Sequence, residues 1–380
     1  MLLAAVALCW LAKPLALTVL RTIAIPEVFL DGALSEKDGC FYTLSHFYTP
    51  SEEEAPARVC KIGLSTGEIV SQWTVPSYIT SIAVSSKGQV ILIGEVPIPL
   101  EPSFDEHGPT ASAGSVDLVR LSPGNTRQES KLPCPSTLFR VDVSKLSPDG
   151  EFLWQWGPSL TGFQAWYRAA VQWRHSSHWS KRTRRHKPEG FPSRNTPVLV
   201  VVRRLSTMQT VRSWGVPATY SDLLYGGVPT SAGSDSFAAF TKKASLVFRL
   251  GGSSYATVPN ASANFGGYTQ AIRLSGDTLY QTSVMRKIAA ISVRTGASKV
   301  ASLPLGTIGR NRSIASCPDY VVSFGYGGAI CVVSADGLGV VGSTDVTAPL
   351  LAGYMSGDGK LIVACGPDKV FVIGVGTRVP

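Results

Sequence analysis

The sequence has little of what long-helical, membrane-spanning or zinc-binding proteins require. Helical periodicity is nearly absent, and charged residues make up only 16% of the 380 positions. The seven cysteines contain no CxxC pair, which argues against a zinc site. The apolar run from Met1 to Ala12 is shorter than the roughly 20 residues that cross a bilayer as a helix. These absences favour a fold built from short strands.

The residues that are present suit a large all-β core. Hydrophobic residues make up 44% of the chain, and its 37 glycines and 25 prolines are spread evenly enough to separate many short strands. A length-based prior of about 150 residues per domain suggests two domains, but all-β folds often run longer as one. We therefore expect one domain over residues 15–380.

Residues 1–14 form an apolar leader, and the first acidic residue of the chain is Glu27. The leader suits a signal peptide that lacks the usual positive start, or an organelle presequence that is poor in Ser and Arg. The lack of acidic residues makes an organelle the more attractive location, with the mitochondrion slightly ahead of the secretory pathway. We expect no transmembrane segment.

Cysteine usage leaves the redox compartment open. Removal of Cys9 with the leader would leave six cysteines, an even number that permits disulfides. Buried free thiols are the more common outcome for cysteines in apolar strands, and we expect them here. The six are Cys40, Cys60, Cys134, Cys317, Cys331 and Cys365.

A repeated unit is clearest in the stretch from Leu350 to Val375. This stretch contains three apolar strands joined by tight turns at Asp358-Gly359 and Pro367-Asp368. From Glu27 onward, strand candidates fall into seven groups with similar turns between the first and second strands. These turns are Ser86-Lys87-Gly88-Gln89, Ser147-Pro148-Asp149-Gly150-Glu151, Ser275-Gly276-Asp277 and Ser356-Gly357-Asp358-Gly359-Lys360. Where no insertion intervenes, the prolines that close the units recur at about 45 residues, the spacing of a propeller blade.

In these repeats the chain resembles β-propellers of the WD40-like, YVTN and quinoprotein-like kinds, over nearly all of residues 15–380. The resemblance implies an all-β, seven-bladed propeller. A propeller must join its first and last blades, because an open ring leaves two unpaired strand edges. The last group lacks a fourth strand, and the run from Ala16 to Ile25 is a natural donor. We predict that this N-terminal strand closes the ring.

Three consecutive groups carry insertions, all between their second and third strands. The insertions are residues 45–57, 97–114 and 157–197, of which the last is by far the longest. Equivalent loops of a propeller emerge on the same face, so one sector of one face should be elaborated. Long loops on a rigid scaffold are where function usually lies.

The longest insertion carries a short predicted helix and then a basic arm. The helix is indicated by large apolar side chains at helical spacing, namely Phe163, Trp166, Tyr167, Ala170 and Trp173. The basic arm is our candidate interaction site and holds much of the formal charge of +9. Its proposed contact residues are Arg174, Lys181, Arg182, Arg184, Arg185, Lys187, Trp173 and Trp179.

The basic arm suits RNA or another polyanion, because cations neutralise phosphates and aromatic rings stack on bases. It equally suits an acidic protein surface or anionic lipid head groups. The remaining alternative is a solvated basic loop, either free or docked on its acidic neighbours at Glu52 to Glu54.

Catalytic patterns are weak. The run from Gly63 to Gly67 matches the G-x-S-x-G nucleophile elbow, but β-branched residues follow where that elbow needs a helix, so we interpret it as a hairpin turn. His175 and His178 have the spacing of a metal pair, but the neighbouring cations would repel a metal ion. The carboxylates at strand ends that are candidates for a channel site are Glu95, Asp117 and Asp142. We predict no catalytic, cofactor-binding or metal-ligating residues.

Our leading hypothesis is a non-catalytic scaffold subunit that contacts other protein subunits within a larger assembly. An organelle ribonucleoprotein is a plausible setting, with RNA contacted through the basic arm. The alternative is a secreted or lumenal propeller that uses its central channel, as a hydrolase or as a ligand-binding module. Because propellers host unrelated functions, the fold alone does not decide between them.

Overall fold

Short apolar runs that end in tight turns divide the chain into four-stranded antiparallel sheets. In the computed structural model, seven such sheets form the blades of a β-propeller, which confirms the all-β, seven-bladed fold. The structure describes residues 14–25, 27–46, 56–95, 104–105, 108–109, 115–121, 127–133, 135–139, 141, 143–162, 164, 197–217, 219–220, 230–260, 269–304 and 311–377.

The first three blades follow the N-terminal strand β1 (Leu15–Ala24). Blade 1 consists of β2 (Val28–Ser35), β3 (Cys40–His46), β4 (Ala57–Gly63) and β5 (Ile69–Val75). Blade 2 consists of β6 (Ile79–Val84) and β7 (Val90–Glu95), then, after the two-stranded pair β8 (Phe104–Asp105) and β9 (Gly108–Pro109), β10 (Ser115–Leu121) and β11 (Arg127–Pro133). Blade 3 consists of β12 (Val143–Leu146), β13 (Phe152–Pro158), β14 (Val198–Arg204) and β15 (Thr210–Val216).

The remaining blades are compact. Blade 4 consists of β16 (Thr230–Ala232), β17 (Ser236–Phe240), β18 (Ala244–Arg249) and β19 (Ala256–Pro259). Blade 5 consists of β20 (Thr269–Ser275), β21 (Thr278–Ser283), β22 (Lys287–Ser292) and β23 (Ser298–Ser302). Blade 6 consists of β24 (Asn311–Ser316), β25 (Tyr320–Gly325), β26 (Ala329–Ser334) and β27 (Val340–Asp345). Blade 7 consists of β28 (Ala352–Met355), β29 (Leu361–Cys365), β30 (Lys369–Thr377) and β1.

The middle strands of each blade are buried on both faces because each blade packs between two others. All but the last residue of β3 is buried, whereas the outer strand β5 alternates between half-buried and exposed positions. The core clusters therefore join neighbouring blades. Between blades 3 and 4, for example, the rings of Trp154 and Phe237 stack with centroids 5.4 Å apart.

In blades 3 and 7, a serine and an aspartate hold the turn between the first and second strands. In blade 7, the hydroxyl of Ser356 donates to Asp358 Oδ1 at 2.7 Å and accepts from the N–H of Leu361 at 2.9 Å. Gly359 follows with a φ of 71°, a conformation that favours glycine. The same hydrogen bonds recur around Ser147 in blade 3. The turn motif of the sequence repeat is thus a hydrogen-bonding unit.

β1 supplies the fourth strand of blade 7. It pairs antiparallel with β30, from Leu15 opposite Thr377 to Ala24 opposite Lys369. The buried side chain of Ile23 packs into a cluster that spans blades 7 and 1. This is the pairing predicted for the N-terminal strand, and it gives β30 a neighbour on both sides.

Two strands differ from the limits that the sequence predicts. The sequence predicts the first strand of blade 3 over Phe139 to Leu146, but β12 begins at Val143. It predicts the first strand of blade 1 over Val28 to Leu30, but β2 continues to Ser35. Asp31 and Gly32 follow Leu30 and resemble a turn, but both lie inside β2. Glycine is needed at position 32 because a Cβ there would approach Phe41 Cζ to 2.5 Å.

Five cysteines are buried as free thiols, as expected from their apolar strands, and two lie outside the described residues. The five are Cys40, Cys60, Cys317, Cys331 and Cys365. Burial raises the pKa of Cys60 to about 11 and that of Cys331 to about 12, so little reactive thiolate forms at neutral pH.

The predicted helix and the basic arm of the third insertion lie outside the described residues, apart from Gln164 and the residues up to 162. In the part of the chain that is described, no helix is long and apolar enough to cross a membrane.

We predict that loss of β1 opens the ring. A chain that begins at residue 27 should melt roughly 10 °C or more below a chain that begins at residue 14, because an entire strand of blade 7 is missing. Differential scanning calorimetry of the two chains measures this. Ile23→Asp, at a buried position, should act in the same direction, whereas Leu20→Asp, at a position that is 48% exposed, serves as the matched control. Equal melting temperatures for the two chain lengths would refute closure by β1.

We also predict that the buried thiols resist alkylation in the folded protein. At about pH 8, iodoacetamide should leave Cys60, Cys331 and Cys365 unmodified in buffer and should modify all three in denaturant, because their burial both shields them and raises their pKa. Peptide mass spectrometry reads the modification. Rapid labelling of Cys331 in buffer would contradict the packing described here.

Candidate functional site

The two faces of the propeller differ in the connections that they carry. Because neighbouring strands are antiparallel, the connections from first to second and from third to fourth strands leave at one face, which we call the turn face. Connections from second to third strands, and from one blade to the next, leave at the other, which we call the loop face. The first-to-second connections of the turn face are all short: 36–39, 85–89, 147–151, 233–235, 276–277, 317–319 and 356–360. The long connections of the loop face are 47–56, 96–114, 134–142, 159–197, 217–229, 260–268 and 303–310.

The three insertions expected in blades 1 to 3 all belong to the loop face. Each starts and ends beside residues that are paired in the sheet, such as His46 with Ala57 in blade 1 and Pro158 with Val198 in blade 3. In blade 3 the N–H of Ser159 also donates to the carbonyl of Pro197 at 3.0 Å. The longest insertion therefore leaves and re-enters the blade at one closed point. Every proposed contact residue of the basic arm lies outside the described residues.

Exposed apolar side chains also favour the loop face. Val28, Leu30, Met285 and Tyr326 lie on it at the start of β2 or in second-to-third turns, with Met285 56% exposed and Tyr326 44% exposed. The other large exposed hydrophobic residues lie on outermost strands: Val19, Leu20, Val70, Val211, Val300 and Val340. Among the described residues, none of these side chains lies in a connection of the turn face.

The first strands of all seven blades surround a central channel. The cavity within it measures about 670 Å³ and is lined by residues of β2, β6, β12, β16, β20, β24 and β28. Its ionisable wall residues are Asp31, Glu36, Lys145, Arg273 and Tyr354.

Side chains of the inner strands tie consecutive blades together. Asp31 Oδ2 accepts from the N–H of Ile82 at 3.2 Å, which joins blade 1 to blade 2. Ser231 joins blade 4 to blade 5 by accepting from Leu274 N–H at 3.0 Å. Further bonds of this kind run from Arg273 Nε to Ser316 Oγ at 3.3 Å, from Gly353 N–H to Ser313 Oγ at 3.2 Å, from the Ser313 hydroxyl to the Gly353 carbonyl at 3.5 Å and from the Tyr354 hydroxyl to Asp31 Oδ1 at 3.3 Å.

Asp31 is the centre of this network at the seam of the ring. Burial raises the pKa of its carboxyl group, and the charge of Lys145 and the N–H groups of Gly32 and Ile82 oppose that rise. Burial and the nearby Asp31 hold the pKa of Tyr354 well above its usual value, so its hydroxyl stays a donor. Asp31 therefore links blades 7, 1 and 2 through hydrogen bonds to its two oxygens.

Of the three carboxylates that the sequence offers for a channel site, the structure describes the side chain of Asp117. Asp117 lies in β10, the third strand of its blade, where its carboxylate accepts from the Tyr78 hydroxyl at 2.5 Å and raises the pKa of Tyr78 to about 12. Its proposal as a channel residue was wrong. Asp142 and the side chain of Glu95 lie outside the described residues.

The G-x-S-x-G match is a hairpin turn, as predicted. Gly63 ends β4, and its carbonyl accepts from the N–H of Gly67 at 2.8 Å before β5 begins at Ile69. Gly67 has a φ of 76°. The strand after the turn leaves no helix to present a nucleophile.

Sequence reasoning missed the channel residues Asp31, Lys145 and Arg273. Each is a single charged residue in a short apolar strand, and nothing in the local spacing connects one to another. Their shared position in the first strand of a repeat was the only available signal.

No protein-family model matches the chain, and a search of the curated proteins finds no match. We therefore infer function from the geometry of the loop face and the channel.

We predict that Asp31 contributes to the stability of the folded ring. Asp31→Ala should lower the free energy of unfolding by about 2 kcal/mol, because it leaves the Ile82 N–H and the Tyr354 hydroxyl without their acceptor. Tyr354→Phe should cost about 1 kcal/mol. Urea unfolding measures both, with Asp368→Ala at an exposed turn of blade 7 as the control. Equal stability of the Asp31 and Asp368 variants would contradict this role.

Proposed function

We propose that the protein is a non-catalytic scaffold subunit of a larger assembly and that it binds partner proteins through the loop face. The observation that carries the proposal is the concentration of long connections on one face of the ring. Short turns with hydrogen-bonded serines need no further role, whereas long loops on a fixed framework commonly carry binding residues.

Exposed apolar side chains support the same face. Protein interfaces centre on apolar and aromatic anchors surrounded by a polar rim. Met285 and Tyr326 provide such anchors in neighbouring blades 5 and 6, opposite the sector that carries the three insertions. A partner that covers the face would contact the insertions and these anchors together.

The sequence of the basic arm adds an anionic partner to this proposal. Its cations and tryptophans suit RNA or an acidic protein surface, and a ribonucleoprotein of an organelle accommodates both. The buried free thiols agree with a reducing compartment, where cysteines remain unpaired.

The test is mass spectrometry of the native protein, recovered from its source through a C-terminal tag. We expect a stoichiometric set of co-purifying subunits. Replacing residues 163–196 by a short Gly-Ser linker should remove some or all of them, and the blade should still fold because Ser159 and Pro197 already meet. Nuclease treatment before recovery separates partners that are held by RNA.

A matched pair of substitutions locates the contact. Met285→Asp on the loop face should weaken partner recovery at least about tenfold, because it buries an unpaired charge in the interface. Ser253→Asp adds the same charge at an exposed position of the turn face and should leave recovery unchanged. A solitary protein, or equal losses in the two variants, would overturn the proposal.

A further inference from the structure

Equivalent positions of the seven inner strands form one level of the channel wall. These positions lie two residues before the residue that opens each first turn, namely Ser35, Ser85, Ser147, Gly233, Ser275, Cys317 and Ser356. Four blades place a small side chain there and three place a large one. The small residues are Ala33, Ala83, Ser231 and Ala315, and the large ones are Lys145, Arg273 and Tyr354. The small residues open the cavity, and two of the three large ones are cations.

Arg273 is a cation with spare hydrogen-bonding capacity. Its Nε donates to Ser316 Oγ at 3.3 Å, and among the described residues no acceptor pairs with Nη1 or Nη2. Burial lowers the pKa of this guanidinium, and no carboxylate of the described residues opposes the effect. The Arg273 side chain is half-buried and lines the cavity. Such a group is stabilised by an anion that enters the channel.

Lys145 is the second cation, and it lies in the one blade that the inner network omits. Within the described part of the chain, no side-chain hydrogen bond joins β12 to β6 or to β16, and none holds the ammonium group of Lys145. Lys145 interacts with Asp31 through charge alone.

The carboxylates of the wall are already engaged. Asp31 accepts hydrogen bonds from Gly32 N–H at 2.9 Å, from Ile82 and from Tyr354. Glu36, at the turn-face end, accepts from Gly357 N–H at 2.6 Å. Among the described residues of the cavity wall, the Lys145 ammonium group and the Arg273 Nη1 and Nη2 groups are therefore the charged donors that lack a hydrogen-bond acceptor.

We propose that the central channel binds a small organic anion, with its carboxylate or phosphate group held by Arg273 and Lys145. A cavity of about 670 Å³ is within the range of small-molecule sites and far exceeds an inorganic ion. The ligand is thus an organic acid or phosphate ester of several heavy atoms. This site is independent of the loop face.

Calorimetric titration of the full chain with citrate and with pyrophosphate tests the site, each against sodium chloride at equal ionic strength. We expect saturable binding of one equivalent of at least one probe. Stronger binding of citrate would identify a carboxylate ligand, and stronger binding of pyrophosphate a phosphate ligand.

Three variants test whether the anion binds in the channel. Lys145→Met and Arg273→Gln should each weaken it at least about tenfold, because each removes a charged donor. Lys131→Met removes the same charge from an exposed position of β11 and should leave binding unchanged. Lys145 has no hydrogen bond to lose among the described residues, so its variant remains decisive if Arg273→Gln fails to fold.

Two results would overturn the site. In the first, neither probe binds beyond the sodium chloride control. In the second, binding persists in both Lys145→Met and Arg273→Gln, which would assign it to another basic region such as the arm at residues 174–187.

Discussion

The fold depends on pairing the free edge of its last blade. Blade 7 takes only three strands from the C-terminal part of the chain, and β1 provides the fourth. Without it, β30 would present an unpaired edge at the seam, and open edges invite association with other chains. Because each blade packs between two neighbours, closure at this one place also holds the other six blades in position. Asp31 and Tyr354 reinforce the same seam from inside the channel.

Closure of the ring creates two different surfaces, the wall of the central channel and the loop face. The closed ring brings one strand from each blade around a shared cavity, where isolated charges such as Lys145 and Arg273 face the same space. The alternating strand direction sends the long connections to one face. The ring thus separates the polar channel, where we propose a ligand site, from the loop face that we propose as the docking surface.

The fold was predictable from sequence because its signals are local. Turns such as Ser356 to Lys360 contain their own hydrogen bonds, and the continuous apolar runs mark buried strands. The donor of the closing strand followed from the need to pair an edge. The continuation of β2 through Gly32 did not, because the reason for glycine there is the ring of Phe41 in the next strand.

The channel site was not predictable for a related reason. A charge in a short strand becomes a channel residue only when that strand is the innermost of its blade, and the partners that define its role come from other blades. Asp117 shows the error that results: it stands at a strand end like a site residue, yet it belongs to a third strand and serves Tyr78. The turn motifs, in contrast, need no information from beyond the unit.

Hydrogen–deuterium exchange of the free protein and of its native assembly tests the central claim, that the loop face is the docking surface. The account predicts slower exchange on assembly in the loop-face turns at residues 241–243, 284–286 and 326–328, with unchanged exchange in the turn-face turns at 276–277 and 335–339. Protection confined to the turn face, or none on either face, would contradict it.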